Sequence, residues 1–332
     1  MKTSQATPQT AIPSVQFIDI SDAHAGQRID NFLLSLQKGV PKSRIYRAIR
    51  KGEVRVNKGR IKPTYKLQLN DSVRIPPMRT SQKEKASHLS DSLRQILTES
   101  ILFEDDDLLV INKPSGLAVH AGSKINQGVI EALQLLRSEL PFLELIHRLD
   151  RDTSGCLLLA KNRATLLDVQ DQFREHTTDK RYLTLVKGGW DDGDKEVNAP
   201  LLKQSLPTDG DRMVRVDPAG KSAKTQFIPH DIYRDQQGNV IAQFTEVVLY
   251  TGRTHQIRVH SAHIGHPLAG DDKYGNRIFN RSVRPLGLKR LFLHAWQLSI
   301  QHPTSRKTLT LEAPLPIELT DFLSQLKTKQ HT

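Results

Sequence analysis

The chain lacks the features that mark disulfide-bonded, secreted and membrane proteins. Its 332 residues include one cysteine, Cys156, so no disulfide can form within the chain. No apolar run approaches the roughly 20 residues that a membrane-spanning helix needs. Residues 1–14 contain neither the apolar core of a signal peptide nor the arginines of a transit peptide. These absences predict a protein of the reducing cytoplasm that does not enter a membrane.

The motifs of nucleotide-dependent and metal-dependent enzymes are missing as well. The sequence contains neither G-x-x-x-x-G-K-[ST] nor G-x-G-x-x-G, and no Cys/His group has zinc-finger spacing. His260, His263 and His266 lie close together, but no carboxylate or thiolate lies among them. We therefore expect no metal ion, no nucleotide cofactor and no cofactor of any other kind.

Positive charge is concentrated in less than a fifth of the chain. Residues 27–85 contain 16 Lys or Arg and 4 Asp or Glu, a surplus equal to the net charge of +12 of the whole chain. The rest of the sequence is therefore neutral. A concentrated basic segment is typical of a nucleic-acid-binding module, and a solvated charged face is the alternative.

This basic segment has the pattern of two short helices followed by strands. Apolar residues recur at helical spacing between 28 and 37, and a second helix follows Pro41 and ends near Gly52. From 28 to 76 the chain resembles the S4 RNA-binding domain, in RIDNFLLSLQKGVPKSRIYRAIRKGEVRVNKGRIKPTYKLQLNDSVRIP. The resemblance implies that the basic side chains of the second helix and the strand after it bind structured RNA. These are Lys42, Arg44, Arg47, Arg50, Lys51 and Arg55.

The remainder of the chain predicts one larger mixed α+β domain, because apolar strand-like segments alternate with helical ones. A polar stretch beginning near Met78 separates it from the basic module. We predict a disordered leader at 1–23, the S4 domain at 24–85, a linker at 86–98, the larger domain at 99–326 and a frayed tail at 327–332.

Three segments of the larger domain are candidates for the chemistry. The first, HRLDRDTSG at 147–155, can expose Asp150 ahead of a buried strand, although alone it would more often be a charged surface turn. In the second, TGRTHQIRVH at 251–260, apolar and polar residues alternate, which predicts a half-buried strand with Arg258 facing a site. The third, KRYLTL, contains Tyr182, which by itself is most often a core aromatic residue.

Taken together, and with GHPLAGDDKYG after the second segment, these motifs resemble the RluA-type pseudouridine synthases in type and in order. The resemblance runs from about 102 to 315 and implies a mixed, largely antiparallel sheet. It implies that Asp150 is the essential carboxylate, that Arg258 pairs with it, and that Tyr182 contacts the target base. Further substrate contacts are predicted for Arg148, which would help to replace the extruded base, and for Leu149, Thr153, His255, Gln256 and His260.

With an S4 domain before these motifs, the chain resembles the bacterial branch of the family, which acts on 23S ribosomal RNA. The expected partner is therefore 23S RNA or a large-subunit precursor, bound by a monomer. Conversion of uridine to pseudouridine adds and removes nothing, which agrees with the missing cofactor motifs. Two alternatives stay open: a non-catalytic S4-type RNA-binding or ribosome-assembly protein, and a glycosyl transferase or hydrolase that uses Asp150 with Asp152.

Overall fold

The computed structural model describes residues 14–37, 40–78, 89–121, 128–205 and 212–328. The chain divides into two compact units, Met1–Ser87 and His88–Thr332. None of the helices in the described ranges combines the length and apolar character needed to cross a membrane.

The first unit contains two helices and a small antiparallel sheet in the order β1-β3-β2. Its elements are β1 Gln16–Asp19, α1 Ile29–Leu36, α2 Lys42–Lys51, β2 Arg55–Val56 and β3 Ser72–Ile75. The apolar faces of both helices pack with Val54 and Val73 into one core. Gly52 ends α2 in the left-handed conformation at φ 69°, as glycine commonly does after a helix. The two predicted helices are confirmed.

Strand β1 corrects the prediction of a disordered leader at 1–23. Its residues pair with β3 along their whole length, from Gln16 opposite Ile75 to Asp19 opposite Ser72. Most of its side chains are exposed, so backbone hydrogen bonds hold the strand and the sequence pattern does not reveal it. Residues 1–13 lie outside the described part of the chain.

The predicted linker and tail also contain helical residues. Helix α3 runs from Asp91 to Glu99, within the segment 86–98 and one residue beyond it. Ser90 caps it by accepting a hydrogen bond from the backbone N–H of Leu93, and Leu97 is fully buried. At the other end, helix α8, Ile317–Thr328, includes two residues of the predicted tail 327–332.

The second unit is built on a ten-stranded sheet in the order β4-β5-β7-β14-β8-β13-β12-β9, with β15 added to β14 and β6 added to β7. The strands are β4 Ile101–Glu104, β5 Leu108–Lys113, β6 Glu144–Leu145, β7 Ser154–Ala160, β8 Asp179–Lys187, β9 Lys195–Asn198, β12 Lys224–Arg234, β13 Val240–Leu249, β14 Leu293–Gln301 and β15 Thr308–Glu312. A separate hairpin consists of β10 Leu201–Ser205 and β11 Arg212–Val216.

The second unit also contains helices. They are α3, α4 Val129–Leu136, α5 Arg163–Glu175, α6 Gln256–His263, α7 Arg277–Val283, α8 Ile317–Thr328 and a 3₁₀ turn Arg284–Leu286. Of the strand pairs in the described residues, β7–β14 is parallel and the others are antiparallel. The predicted mixed α+β fold with a largely antiparallel sheet is confirmed.

The segment 251–260 was predicted as a half-buried strand, and this is wrong. Its second half forms the start of helix α6, which His255 opens in the left-handed conformation at φ 54°. Six consecutive residues from Gln256 to Ser261 are buried, so the helix has no extended solvent face. The alternation of apolar and polar residues therefore does not predict which side chains are exposed in this segment. Its polar side chains are buried and form hydrogen bonds within the protein.

Candidate active site

The loop that carries Asp150 is fixed through its backbone to the end of strand β5. The Arg151 carbonyl accepts from Lys113 Nζ at 3.0 Å and from the Gly116 N–H at 2.9 Å. The Asp152 carbonyl accepts from Ser115 Oγ at 2.7 Å. These bonds hold the two residues after Asp150, so its carboxylate projects from a rigid turn.

Lys113 is a buried lysine that holds this loop through its side chain. It is fully buried, and its ammonium also donates to the carbonyls of Pro114 at 2.8 Å and Leu117 at 2.9 Å. All three of its protons are therefore directed at backbone carbonyls. Burial lowers the pKa of Lys113 to about 7, and the charge of Arg290 adds to this effect.

Strand β7 begins directly after the loop and makes a close parallel contact with β14. Gly155, at φ 114°, lies opposite Ala295, and a Cβ atom at this position would stand 2.2 Å from the Ala295 carbonyl oxygen. Only glycine permits both the conformation and the approach. The Gly155 of the HRLDRDTSG motif therefore sets the distance between the loop and β14.

Ser154, beside this glycine, is held by the buried His294 and the partly buried Arg290. Its Oγ lies 2.9 Å from His294 Nδ1 and accepts from Arg290 at 2.6 Å. His294 Nε2 donates to the Ala313 carbonyl at 3.0 Å, so Nδ1 is the acceptor for the Ser154 hydroxyl. His294 is neutral, because burial lowers its pKa from the ordinary 6.5 to about 4.

The Asp150 carboxylate faces two side chains from the segment 251–260. Its Oδ2 atom lies 3.6 Å from an Nη1 of Arg258 and 3.8 Å from Nε2 of His255. The predicted pairing of Asp150 with Arg258 is therefore present as an ion-pair contact, longer than a hydrogen bond. The Asp150 side chain is 28% exposed, which leaves it accessible to a substrate.

Arg258 is held in place by Asp271, a residue to which the sequence analysis gave no role. The guanidinium donates through Nε at 2.7 Å and Nη2 at 2.8 Å to the two oxygens of Asp271, which leaves Nη1 for Asp150. Asp271 Oδ1 also accepts the backbone N–H groups of Lys273 and Tyr274. Two parallel hydrogen bonds fix the plane of a guanidinium, so Asp271 determines where Nη1 points.

The Arg258–Asp271 pair remains fully ionised although it is buried. Burial alone would lower the pKa of Arg258, but the hydrogen bonds to Asp271 raise it above its ordinary value. For Asp271, burial acts to raise the pKa, and the hydrogen bonds from Arg258 outweigh this and hold it low. The positive charge beside Asp150 is therefore permanent.

His255 adds a hydrogen-bond donor on the same side of Asp150. The Tyr274 hydroxyl accepts the Val214 N–H at 3.0 Å and lies 2.8 Å from His255 Nδ1, to which it can donate its own proton. A neutral His255 then carries its proton on Nε2, facing Asp150. Burial lowers the pKa of His255, against the opposing charge of Asp150, which favours this neutral form.

Tyr182 lies on strand β8, partly buried, and lines the same cavity as Asp150. Burial raises the pKa of its phenol above the ordinary value, and the charge of Asp150 adds to the shift. The phenol is therefore neutral. No described residue forms a hydrogen bond with its hydroxyl, which leaves that group for a ligand.

Two concave regions meet at Asp150. A cavity of about 690 Å³ is lined by Asp150, Arg148, Tyr182 and Arg258, among others, and Asp150 is the sole carboxylate among its described lining residues. A larger cleft of about 1400 Å³ shares Arg148, Asp150 and Arg258 with it. Arg148 is exposed at the junction, and Leu149 and Thr153 are buried beside it. The structure thus brings these predicted site residues together.

Two of the predicted substrate contacts have structural partners instead. His260 is fully buried, bonded to Thr225 Oγ1 at 2.9 Å and the Ala199 carbonyl at 2.9 Å, and lines neither concave region. Gln256 lines the smaller cavity, but its side chain bonds to four groups of neighbouring loops and strands. Gln256 thereby fixes the start of α6, and His260 ties the middle of the helix to Thr225 and Ala199.

In the first unit, most of the predicted RNA-binding side chains are exposed. Lys42, Arg47, Arg50, Lys51 and Arg55 have exposed side chains, whereas Arg44 forms an ion pair with Glu53 at 2.7 Å. Among the residues that the structure describes, no three His, Cys, Asp or Glu side chains are grouped so that they could hold a metal ion.

Comparison with known families matches both parts of the chain. Residues 107–263 match the RNA pseudouridylate synthase family, and residues 27–73 match the S4 domain. The chain belongs to the RNA pseudouridylate synthases, which makes it an RNA-modifying isomerase with an S4 domain at its N-terminal side.

Individual relatives narrow this class. The chain is 53% identical over 316 residues to the ribosomal large subunit pseudouridine synthase C of Pasteurella multocida, covering 95% of this chain and 94% of the relative. It is 50% identical over 323 residues to the protein of the same name in Escherichia coli, covering 96% and 99%. The solved structure of human RNA pseudouridylate synthase domain containing 4 is similar, with 28% identity, a TM-score of 0.56, and coverage of 71% of this chain and 96% of that one.

Proposed function

We propose that this isomerase converts specific uridines of 23S ribosomal RNA to pseudouridine, with Asp150 as the catalytic carboxylate. The observation that carries the assignment of Asp150 is its position: it is the sole acid among the described lining residues of the smaller cavity, and its Oδ2 faces the permanent charge of Arg258 at 3.6 Å. A guanidinium partner held in a fixed plane orients the carboxylate that it faces.

The reaction breaks the C1′–N1 glycosidic bond, turns the uracil and forms a C1′–C5 bond. C5 loses a proton and N1 gains one, so the composition of the nucleoside is unchanged. An ionised carboxylate can attack C1′ or promote departure of the base by stabilising positive charge on the sugar, as glycosidase carboxylates do. Both routes require an accessible carboxylate beside a fixed positive charge, and the site provides this arrangement.

Extrusion of the target base from stacked RNA costs a few kcal/mol, and two side chains are placed to offset it. Tyr182 presents an aromatic ring and a free hydroxyl inside the cavity, where it can contact the uracil. Arg148 is exposed at the junction of the cavity and the larger cleft, where its guanidinium can fill the space left by the base.

The choice of substrate rests on the relatives and on the first unit. Proteins about 50% identical over nearly their whole length are named for the ribosomal large subunit. Exposed basic side chains on α2 supply phosphate contacts of the kind that bind structured RNA. We place the protein in the cytoplasm as a monomer that acts on 23S RNA or on a large-subunit precursor.

The test is to map pseudouridines in 23S RNA from cells with and without this protein, with a plasmid-borne copy as the control. Specific sites should revert to uridine in its absence and return with the wild-type copy. An unchanged 23S map, with sites lost from another RNA, would show that the substrate is wrong while leaving the isomerase activity intact.

Removal of residues 1–87 is expected to weaken RNA binding and to leave the second unit folded. The first unit has its own buried core and carries the basic surplus, so each phosphate contact that is removed should also reduce the salt dependence of binding. Filter binding to 23S RNA at several salt concentrations measures both effects, and thermal denaturation checks the fold. Equal affinity and salt slope for the truncated and full-length proteins would contradict the prediction.

A further inference from the structure

The end of the smaller cavity formed by α5 and the start of β8 carries positive charge that the proposed chemistry does not use. The lining residues there are Phe173, Arg174, His176 and Lys180. Including the rest of the cavity, its basic side chains and histidines are Arg148, Arg174, Lys180, Arg253, Arg258, His147, His176 and His255, against the single acid Asp150. A cavity of this composition suits an anionic ligand that extends beyond the uracil and ribose.

At this end of the cavity, Lys180 provides the clearest evidence for an anion-binding site. The residue is only 7% exposed. Its ammonium donates to Thr178 Oγ1 at 2.9 Å and more weakly to the Thr178 carbonyl at 3.5 Å. No carboxylate of the described chain forms an ion pair with it. A buried ammonium normally has an anionic partner, because an unpaired charge is costly to bury. Lys113 meets this requirement with three separate carbonyls, whereas both hydrogen bonds that the described chain provides to the Lys180 ammonium come from one residue, Thr178, so the ammonium can still donate to an anion.

The position of Lys180 relative to Tyr182 indicates which anion that is. The two residues are two apart on β8, so they lie on the same face of the strand, about 7 Å apart along it. If the uracil contacts Tyr182 and the sugar lies at Asp150, the backbone phosphates on either side of that nucleotide are the nearest anions of the substrate.

We propose that Lys180, together with Arg174, binds a phosphodiester group directly adjacent to the target uridine. This inference rests on the proposed function. Arg174 is exposed, and its ion pair with Asp171 is exposed too, so its guanidinium can turn to a phosphate at little cost. Burial lowers the pKa of Lys180, a shift that a bound phosphate would reverse.

A purely structural role for Lys180 is the alternative that an experiment must separate. Its ammonium lies 5.6 Å from the centre of the Phe173 ring, and this ring stacks on His147 at 4.9 Å. Loss of the lysine could therefore disturb the HRLD segment without any contact to RNA. A structural role would lower activity equally on all substrates, whereas a phosphate contact depends on one charge in the RNA.

The experiment combines Lys180→Met with single neutral linkages in the substrate. The substrate is a 23S fragment that contains one uridine lost from the map in cells without the protein, prepared as a series with one methylphosphonate in place of each phosphate near that uridine. For the wild type, neutralising the contacted phosphate should lower kcat/KM by about 10- to 100-fold, the range for a hydrogen bond to a charged group. In Lys180→Met the same linkage should cost less than about 2-fold, since the partner is already absent.

Lys187→Met is the matched control, because Lys187 is an exposed lysine on the same strand that lines neither concave region. In this variant the neutral linkage should lower kcat/KM by the same factor as in the wild type.

Arg174→Gln, on the surface, provides a second test that does not depend on folding of the Lys180 variant. In Arg174→Gln the same linkage should lower kcat/KM by a smaller factor than in the wild type. Equal costs in all variants at every linkage, or coupling found only at a phosphate not adjacent to the uridine, would overturn the inference. Failure of the wild type to modify any 23S fragment would instead contradict the proposed function.

Discussion

Asp150→Asn is expected to abolish pseudouridine formation, with a loss of rate of at least about 10⁴-fold, the range found when a reacting group is removed from other enzymes. The amide has the same shape but no negative charge, so it can neither attack C1′ nor stabilise a cationic sugar. RNA affinity should change by less than about 3-fold, because most of the binding energy comes from phosphate contacts elsewhere. Single-turnover release of tritium from 5-tritiated uridine in RNA measures the rate, and filter binding measures the affinity.

Asp152→Asn is the matched control for this variant. Asp152 follows two residues later in the same loop, and its side chain forms an ion pair with Arg151 at 3.0 Å. Its backbone carbonyl, not its carboxylate, anchors the loop to Ser115. We expect activity within a few-fold of the wild type, as for most exposed ion pairs. An active Asp150→Asn enzyme would refute the assignment, and equal loss in both variants would favour a mechanism with two carboxylates.

Arg258→Met is expected to have the second largest effect, on stability and on activity together. It removes the guanidinium that pairs with the Asp271 side chain, which has no exposed surface. Breaking one side of a buried ion pair typically costs 3–5 kcal/mol, so we expect a loss of about 4 kcal/mol in the free energy of unfolding. Activity should also fall by more than about 10²-fold, because Asp150 loses the charge that orients it. Urea denaturation of the variant measures the first effect.

The double variant Arg258→Met/Asp271→Asn separates the two consequences. Asn at this position removes the unpaired charge, and its Oδ1 can still accept the N–H groups of Lys273 and Tyr274. It should recover most of the lost stability and none of the activity, since Asp150 still faces no guanidinium. Wild-type stability of Arg258→Met would show that the pair does not support the fold, and recovered activity in the double variant would show that Arg258 has no role at Asp150.

Local patterns in the sequence were sufficient for the helices of the first unit and for most strands of the second. Helix α2 has its apolar residues on one face, a proline before its first turn and a glycine after its last, and each of these signals acts within a few residues. Strand β7 contains the apolar run Cys156–Ala160, and all seven residues of the strand are buried. In both cases the environment of each residue follows from its neighbours in the chain.

Sequence patterns failed where distant parts of the chain satisfy the polar groups. In α6, Gln256 and His260 are polar and buried because Lys224, Thr225 and Ala199 bond to them, and no periodicity shows this. Strand β1 is held by hydrogen bonds to a strand more than 50 residues later in the chain. The sequence does not reveal the role of Asp271 for the same reason, although this residue lies within the GDDKYG motif. Its role depends on the ion pair with Arg258, which lies on helix α6.

The neutral state of His294 limits the pH range of the enzyme from the acid side. Its pKa is about 4 in the folded chain against 6.5 ordinarily, so the unfolded chain takes up this proton first as the pH falls. The contribution of neutral His294 to the free energy of unfolding is therefore fully present above pH 6.5. It is lost as the pH falls from 6.5 to 4, by up to about 3 kcal/mol. Protonation of Nδ1 would remove the acceptor for the Ser154 hydroxyl and place a second cation near Arg290. Acid inactivation should therefore begin as loosening at the base of the Asp150 loop, seen as a fall in melting temperature over this range, and His294→Gln should flatten the decline.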